Sequence, residues 1–254
     1  MKQSKLQNYG PQDMVFPEYR LLQSTGGKDA KQAGGKPGQF YHTLRGDFAD
    51  NISCSVVDIV KVRTRWGADI LDQPPECASA DADSMVSLDG QDCSQCQYRC
   101  DNPWSVPAAQ RRELCTIGYV LQGIDLLNGF QPFILRAHGI SAVAMRELIS
   151  SLRFNRELMG EHWRAVILIT SISKHTSMGD VYAITARPVS LVTEEQQHEL
   201  ASLVPQLTGV PVTSMLEIGD VPYSLPSPLE VEETAAEEEP AEEPEEEPRF
   251  TLDF

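Results

Sequence analysis

The sequence predicts a mainly β fold with some helix (α+β), and three observations carry the prediction. Two long segments, Ile52 to Trp66 and Val181 to Val192, are rich in β-branched residues. Asn128-Gly129 separates two apolar runs, the signature of a tight hairpin. Only one segment inside this region, beginning at Ser141, has helical periodicity.

In chain order, Ile52 to Trp66 (ISCSVVDIVKVRTRW) alternates most clearly in its second half and predicts a long strand. Thr116 to Ile124 and Phe130 to Ala137 predict the two arms of the hairpin. SAVAMRELISSLRFNRELM repeats apolar residues at Val143, Leu148, Leu152 and Met159, with Ser141 in the N-cap position. Ala165 to Ser173 and Val181 to Val192 predict two more strands around a turn at Met178-Gly179-Asp180. A short helix is expected from Thr193, where Glu194 and Glu195 favour the positive end of the dipole. Three strands, a helix and two strands is the order of the OB-fold, a five-stranded Greek-key barrel with its helix between strands three and four.

This domain is expected over residues 39–204, interrupted at 74–115 by a segment with many turn formers and little periodicity. Residues 1–38 read as a flexible basic arm: seven bases stand against three acids up to Gly46. Residues 205–254 read as a disordered acidic tail, because TAAEEEPAEEPEEEP cannot bury enough apolar surface to offset chain entropy. Of the net charge of −16, residues 230–254 supply most, with twelve acids and one base. The body is therefore only mildly acidic, and composition alone does not point to nucleic acid.

No apolar run approaches the roughly 18 residues of a membrane helix, and MKQSKLQNYGPQDM has no apolar core of a secretion signal. A cytoplasmic location is expected. Six cysteines in such a setting favour metal binding over disulfides, and five of them fall between Cys77 and Cys115. Cys93 and Cys96 form a C-x-x-C pair, which presents two thiolates from one turn; a tetrahedral zinc needs two more. Cys77, Cys100 and Cys115 are the candidates, and spacing does not choose among them. Unliganded thiols and an iron–sulfur cluster are the competing readings. Cys54 lies on a predicted strand and reads as a small core residue.

Further residues form a recognisable series. It comprises Gly38-Gln39-Phe40-Tyr41 with Thr43, the strand end Arg63-Thr64-Arg65-Trp66, Pro74-Pro75-Glu76-Cys77 with Ser79, Asp89-Gly90, Asp92-Cys93 with Cys96, Trp104 and Cys115. From about Val15 to Val192 the chain resembles a family of phage and prophage proteins associated with single-stranded DNA in replication or recombination. The resemblance implies zinc held by Cys77, Cys93, Cys96 and Cys115. Two departures are Gln97, where the family often has Pro, and the additional Cys100. The plan of a barrel, a linker and an acidic end closing on Phe is also similar to single-strand-binding proteins of bacteria and phages. It implies that Phe250, Leu252, Asp253 and Phe254 recruit replication or recombination partners.

Single-strand coating needs aromatics for base stacking and Lys or Arg for phosphates. The candidates are Phe40, Tyr41, Lys61, Arg63, Arg65, Trp66, Trp104, Arg111, Arg112 and Lys174. No catalytic motif of nucleotide, hydrolase or metalloprotease type occurs, so an enzyme is not expected. The principal alternative is a zinc-containing adaptor that binds protein and no DNA.

Overall fold

A computed structural model describes residues 16–24, 34–65, 76–88, 90–102, 105–107, 110–176 and 179–208. All lie in the unit Met1–Pro222; the second unit, Tyr223–Phe254, is outside the described residues. The acidic tail falls there too, apart from residues 205–208.

The strands are β1 (Glu18–Leu21), β2 (Phe40–His42), β3 (Phe48–Ala49), β4 (Asn51–Arg65), β5 (Cys77–Ser79), β6 (Thr116–Asp125), β7 (Gln131–Ala137), β8 (Ala165–Thr176) and β9 (Gly179–Leu191). The helices are α1 (Ser141–Phe154), between β7 and β8, and α2 (Glu194–Leu207), after β9. The fold is mainly β: one curled, open sheet ordered β3-β2-β1-β7-β6-β4-β8-β9, with β5 on the far end of β4.

The five expected strands are present as β4, β6, β7, β8 and β9, and the Asn128-Gly129 hairpin joins β6 to β7. Four strands were not expected. One corrects the reading of 1–38 as a flexible arm: β1 pairs antiparallel with β2 and parallel with β7. Its Tyr19 is 1% exposed, and Phe16 and Leu22 are buried beside it. Apolar burial anchors this segment, whatever the polarity of the residues around it. Residues 25–33 of the arm lie outside the described residues.

β4 governs the curl. Its first residues, Asn51 to Ser55, pair with β8, while Cys54 to Thr64 pair with β6. The register slips between Val56 and Asp58, a bulge that lets one strand serve two directions. The two flanks of the sheet then touch. The Gln23 side-chain amide both donates to the Tyr182 carbonyl (2.8 Å) and accepts from its backbone N–H (2.9 Å). Ser171 Oγ donates to the Gly38 carbonyl at 2.5 Å. Gly38 sits at φ +91°, and a Cβ there would stand 2.6 Å from the Tyr182 ring, so glycine is required twice over.

Side-chain alternation splits β6 between two cores. Tyr119 and Leu121 face one that contains Phe40, Phe133, Leu135, Ile167 and Ile169, closed by Met145, Leu148 and Leu152 of α1. Ile124, on the opposite face, meets Leu200, Leu203 and Val204 of α2. Val120 meets Phe16, Val62 and Ile134 on that side. α2 begins with a full capping box between Thr193 and Gln196. In α1 the cap is Ile140; Ser141 lies inside the helix, and its Oγ accepts from the Ile184 N–H at 3.0 Å. Val143 and Met159, expected on the apolar face, are exposed at 38% and 78%; Ala142, Met145, Leu148 and Leu152 form that face.

Gly123 leaves room for Phe133, which is wholly buried: an added Cβ would lie 2.8 Å from its Cζ. Gly123→Ala is expected to destabilise the fold by about 1–3 kcal/mol, read as a lower urea midpoint with an unchanged m-value.

His138, just past β7, gives the fold a pH dependence. Burial pushes its pKa down to about 4, with the nearby Arg136 acting in the same direction. The residue keeps a partly exposed edge, but Nε2 is shut off from water. The unfolded chain binds this proton near pH 6.5. The stabilising effect is thus complete above pH 6.5 and is lost as pH falls toward 4. We expect a loss of about 1–3 kcal/mol between pH 7 and 4.5, smaller in His138→Gln, as read by chemical unfolding at both pH values.

Candidate metal centre

The segment between β4 and β6 folds back over the end of β4. β5 forms the hinge: Cys77 pairs with Arg65 and Ser79 with Arg63. A 3-10 turn at Cys93–Gln95 follows, capped by Asp92, whose Oδ1 accepts from Ser94 N–H at 2.8 Å. The Ser94 side chain, and then that backbone bond, hold the Asp92 carboxyl below its ordinary range. The turn continues through Cys96 N–H to the Cys93 carbonyl (3.4 Å) and Arg99 N–H to the Cys96 carbonyl (3.0 Å). Tyr98 and Cys100 then clasp Cys115 from either side: Cys115 N–H donates to Tyr98 O (2.7 Å) and Cys100 N–H to Cys115 O (3.0 Å).

These turns bring Cys77, Cys93, Cys96 and Cys115 around one cleft of about 450 Å³. Cys100 does not line it, although Arg99 just before it does. All six cysteines are thiols, and Cys54 is fully buried in the main core, where burial raises its pKa. The Cys115 thiol is pushed up to about 11, first by burial and then by the adjoining Cys77 sulfur; Arg63 opposes this. Cys93 and Cys96 add to the rise. A cation among these sulfurs would reverse the effect. As the side chains are placed, no three His, Cys, Asp or Glu among the described residues close on a common point for a metal.

The cleft wall is ionic. Arg65 lies over the Tyr98 ring at 3.5 Å, pairs with Glu76 at 3.1 Å and donates from Nε to the Glu113 carbonyl. Arg63 pairs with Asp101, which also takes Arg99 at 2.9 Å. The Arg63 bond, then the Arg99 bond, hold the Asp101 carboxyl below its ordinary range. Lys61 reaches Asp83 at 2.9 Å.

This corrects part of the nucleic-acid set. Lys61, Arg63 and Arg65 do share one face, and the folded-back segment pairs with each of them, burying Arg63 but leaving Lys61 and Arg65 partly exposed. The side chain of Arg63 is 3% exposed and cannot meet a phosphate in this arrangement. Phe40 is wholly buried and packs in the core, so no base can stack on it. Tyr41 is partly exposed and lies against Phe48, with ring centroids 5.4 Å apart. Arg111 Nε donates to the Val106 carbonyl at 2.7 Å. Lys174 stands exposed near the end of β8, beside the exposed His175–Asp180 pair. Trp66, Trp104, Phe250, Leu252, Asp253 and Phe254, and the Arg112 side chain, lie outside the described residues.

Sequence reading missed Arg99, Tyr98 and Asp101. Their signal was a basic–acidic pair, Arg99 and Asp101, immediately downstream of the C-x-x-C. No family profile, curated protein or solved structure matches the chain. Among the described residues, no helix is long and apolar enough to cross a membrane.

Proposed function

We propose that the chain binds single-stranded DNA without reading its sequence, through an OB-like barrel whose β4–β6 connection is ordered by zinc. The observation that carries this reading is the strand connectivity. β4, β6, β7, β8 and β9 follow one another with α1 between β7 and β8, and β4 pairs with both β6 and β8. A five-stranded Greek-key barrel of the OB type has this order. β1 stands where the third and fifth strands of such a barrel would meet: it pairs with β7, and Gln23 just beyond it bonds Tyr182 of β9.

In that scheme the cysteine segment is the connection between barrel strands one and two, and the β8–β9 hairpin is the connection between four and five. OB barrels grip oligonucleotides with these two connections. Lys174 and His175 sit at the second of them, in water. Four thiols around one cleft are the donor set that zinc takes in structural sites: Cys77, Cys93, Cys96 and Cys115 would hold it, and its chemistry there is to fix the loop. The acidic residues 230–254 act as a competitor for the DNA surface, and Phe250, Leu252, Asp253 and Phe254 recruit replication or recombination proteins. The setting is the cytoplasm.

Neutralisation of Lys61, Arg63 and Arg65 by Asp83, Asp101 and Glu76 favours the second reading, a zinc-ordered adaptor for proteins. Fluorescence anisotropy with labelled poly-dT separates the two. The full chain is expected to bind, with affinity that falls steeply as salt rises through counterion release. A chain ending at Leu229 should bind more tightly, and Lys174→Ala more weakly. No binding by the full or the shortened chain at low salt would replace DNA coating with the adaptor.

A further inference from the structure

The outer face of α1 carries apolar side chains and charges that nothing among the described residues uses. Ala142, Met145, Leu148 and Leu152 bury the inner face. On the outer face Val143, Ser150 and Phe154 recur at i, i+7 and i+11, which sets them in one line along the helix. Val143 is exposed, and Phe154 is 80% exposed. A phenyl ring left in water forgoes one of the largest burial gains a side chain can make. Ser150, between them, donates its hydroxyl back to the Arg146 carbonyl at 2.9 Å. The middle of the line is therefore small and already satisfied, so another chain can approach it closely.

Charge flanks this line unequally. Arg146 and Arg153 lie along one side and Glu147 along the other; Arg146 and Glu147 help to line a shallow groove with the three central residues. The three charged side chains are exposed, and none joins an ion pair among the described residues. They cannot pair with one another within the helix. Adjacent residues point about 100° apart, and Glu147 and Arg153 do not have the i, i+3 or i, i+4 spacing at which side chains meet.

We infer that this face is a self-association surface, on which two copies of the chain pack α1 against α1 in parallel about a two-fold axis. The charge pattern selects both the occupant and the geometry. A two-fold parallel to the helices sets each basic side against the acidic side of the other copy, so Arg146 meets the second copy's Glu147, and the contact occurs twice. The two Phe154 rings meet across the axis. An antiparallel pair would instead set basic side against basic side, which is repulsive. A helix of 14 residues offers a contact at the small end of specific interfaces, so the dimer is weak and reversible. This inference is independent of the DNA and zinc readings.

Sedimentation equilibrium of the full chain over a range of concentrations provides the test. The wild-type chain is expected to pass from monomer to dimer as concentration rises. Phe154→Ser should raise the dimer Kd roughly 10-fold or more. Arg146→Glu and Glu147→Arg should each be monomeric alone, since each places like charges across the axis twice. Mixed in equal amounts, these two variants should form a heterodimer, because every cross-axis contact then joins opposite charges. All three positions are exposed, so far-UV circular dichroism should be unchanged. A wild-type chain that stays monomeric up to its solubility limit would overturn the inference and leave the face to a different partner. A dimer that Phe154→Ser and both charge reversals leave intact lies on another surface, which overturns it as well. Absence of the heterodimer from the mixture, when each variant alone is monomeric, would rule out the parallel two-fold pairing.

Discussion

Asp125→Ala is expected to lower the unfolding free energy by about 3–5 kcal/mol, the range for removing one member of a buried charged network. Asp125 ends β6 and is 2% exposed. Its Oδ2 accepts from Tyr19 Oη at 2.6 Å and from Asn128 Nδ2 at 2.8 Å; its Oδ1 accepts from the N–H groups of Leu127 and Asn128. Arg45 stands 3.9 Å away and donates to the same tyrosine hydroxyl at 2.7 Å. Burial, and then the bond to Asp125, raise the Tyr19 pKa, so the phenol remains a donor. One carboxylate thus ties β1, the β2–β3 turn and the β6–β7 hairpin together, and alanine strands four donors at once. Tyr19→Phe removes only one bond from the set and should cost about 1–2 kcal/mol. Arg45→Ala should cost less, since its side chain is 24% exposed. Urea unfolding of the three variants and of the Tyr19–Asp125 double mutant measures both the totals and the coupling. A change below 1 kcal/mol for Asp125→Ala would show that water replaces its partners.

How far the sequence could be read depended on segment length. β4, β6, β7, β8 and β9 are 7 to 15 residues long, enough for alternation to register, and Asn128-Gly129 marked their tightest turn. β1, β2 and β3 have four, three and two residues, too short for any period. Glu-Tyr-Arg-Leu looks polar until Tyr19 is seen between His42 and Phe133, whose rings it meets at 4.8 and 5.0 Å. The N-cap of α1 was misplaced because Ser141 serves a strand: its hydroxyl accepts from Ile184 N–H across the core. At the cleft, the Cys93–Cys96 pair was legible, since a C-x-x-C carries its own turn, but spacing did not choose between Cys100 and the two that line the cleft beside it, Cys77 and Cys115. The fate of Arg63 was not legible. Alternation put it on a face with Lys61 and Arg65 but did not say that a segment bearing Glu76, Asp83 and Asp101 returns to pair with that face. A basic strand face and a buried ionic wall have the same sequence pattern; contacts distant in sequence distinguish them.

The second large effect follows from the same fold-back. Chelation of the purified chain is expected to lower its melting temperature by about 5–10 °C. Binding at a hundredfold excess over Kd contributes roughly 2.7 kcal/mol, and a domain of this size shifts about 2–4 °C per kcal/mol. The segment from Glu76 to Asn102 has little else to order it. Its regular structure is a three-residue strand and a three-residue turn, and its buried apolar side chains are small: Ala78, Ala82 and Cys93. Such a segment needs a cross-link in place of a core, and a four-thiolate metal makes folding of the segment and binding of the ion one process. One zinc per chain is therefore expected by elemental analysis. Cys77→Ser, Cys93→Ser, Cys96→Ser and Cys115→Ser should each abolish stoichiometric binding. Cys54→Ser and Cys100→Ser should retain it, because one sulfur lies in the main core and the other does not line the cleft. Limited proteolysis adds the spatial test: chelation should open cleavage between 76 and 115 while the β6–β9 fragment stays intact. Equal melting and equal cleavage with and without chelator would mean that the ion pairs of Arg63, Arg65 and Lys61 hold the segment unaided. Loss of zinc in Cys100→Ser, with retention in one of the four, would move the centre one turn along the chain, where Cys100 already bonds the backbone of Cys115.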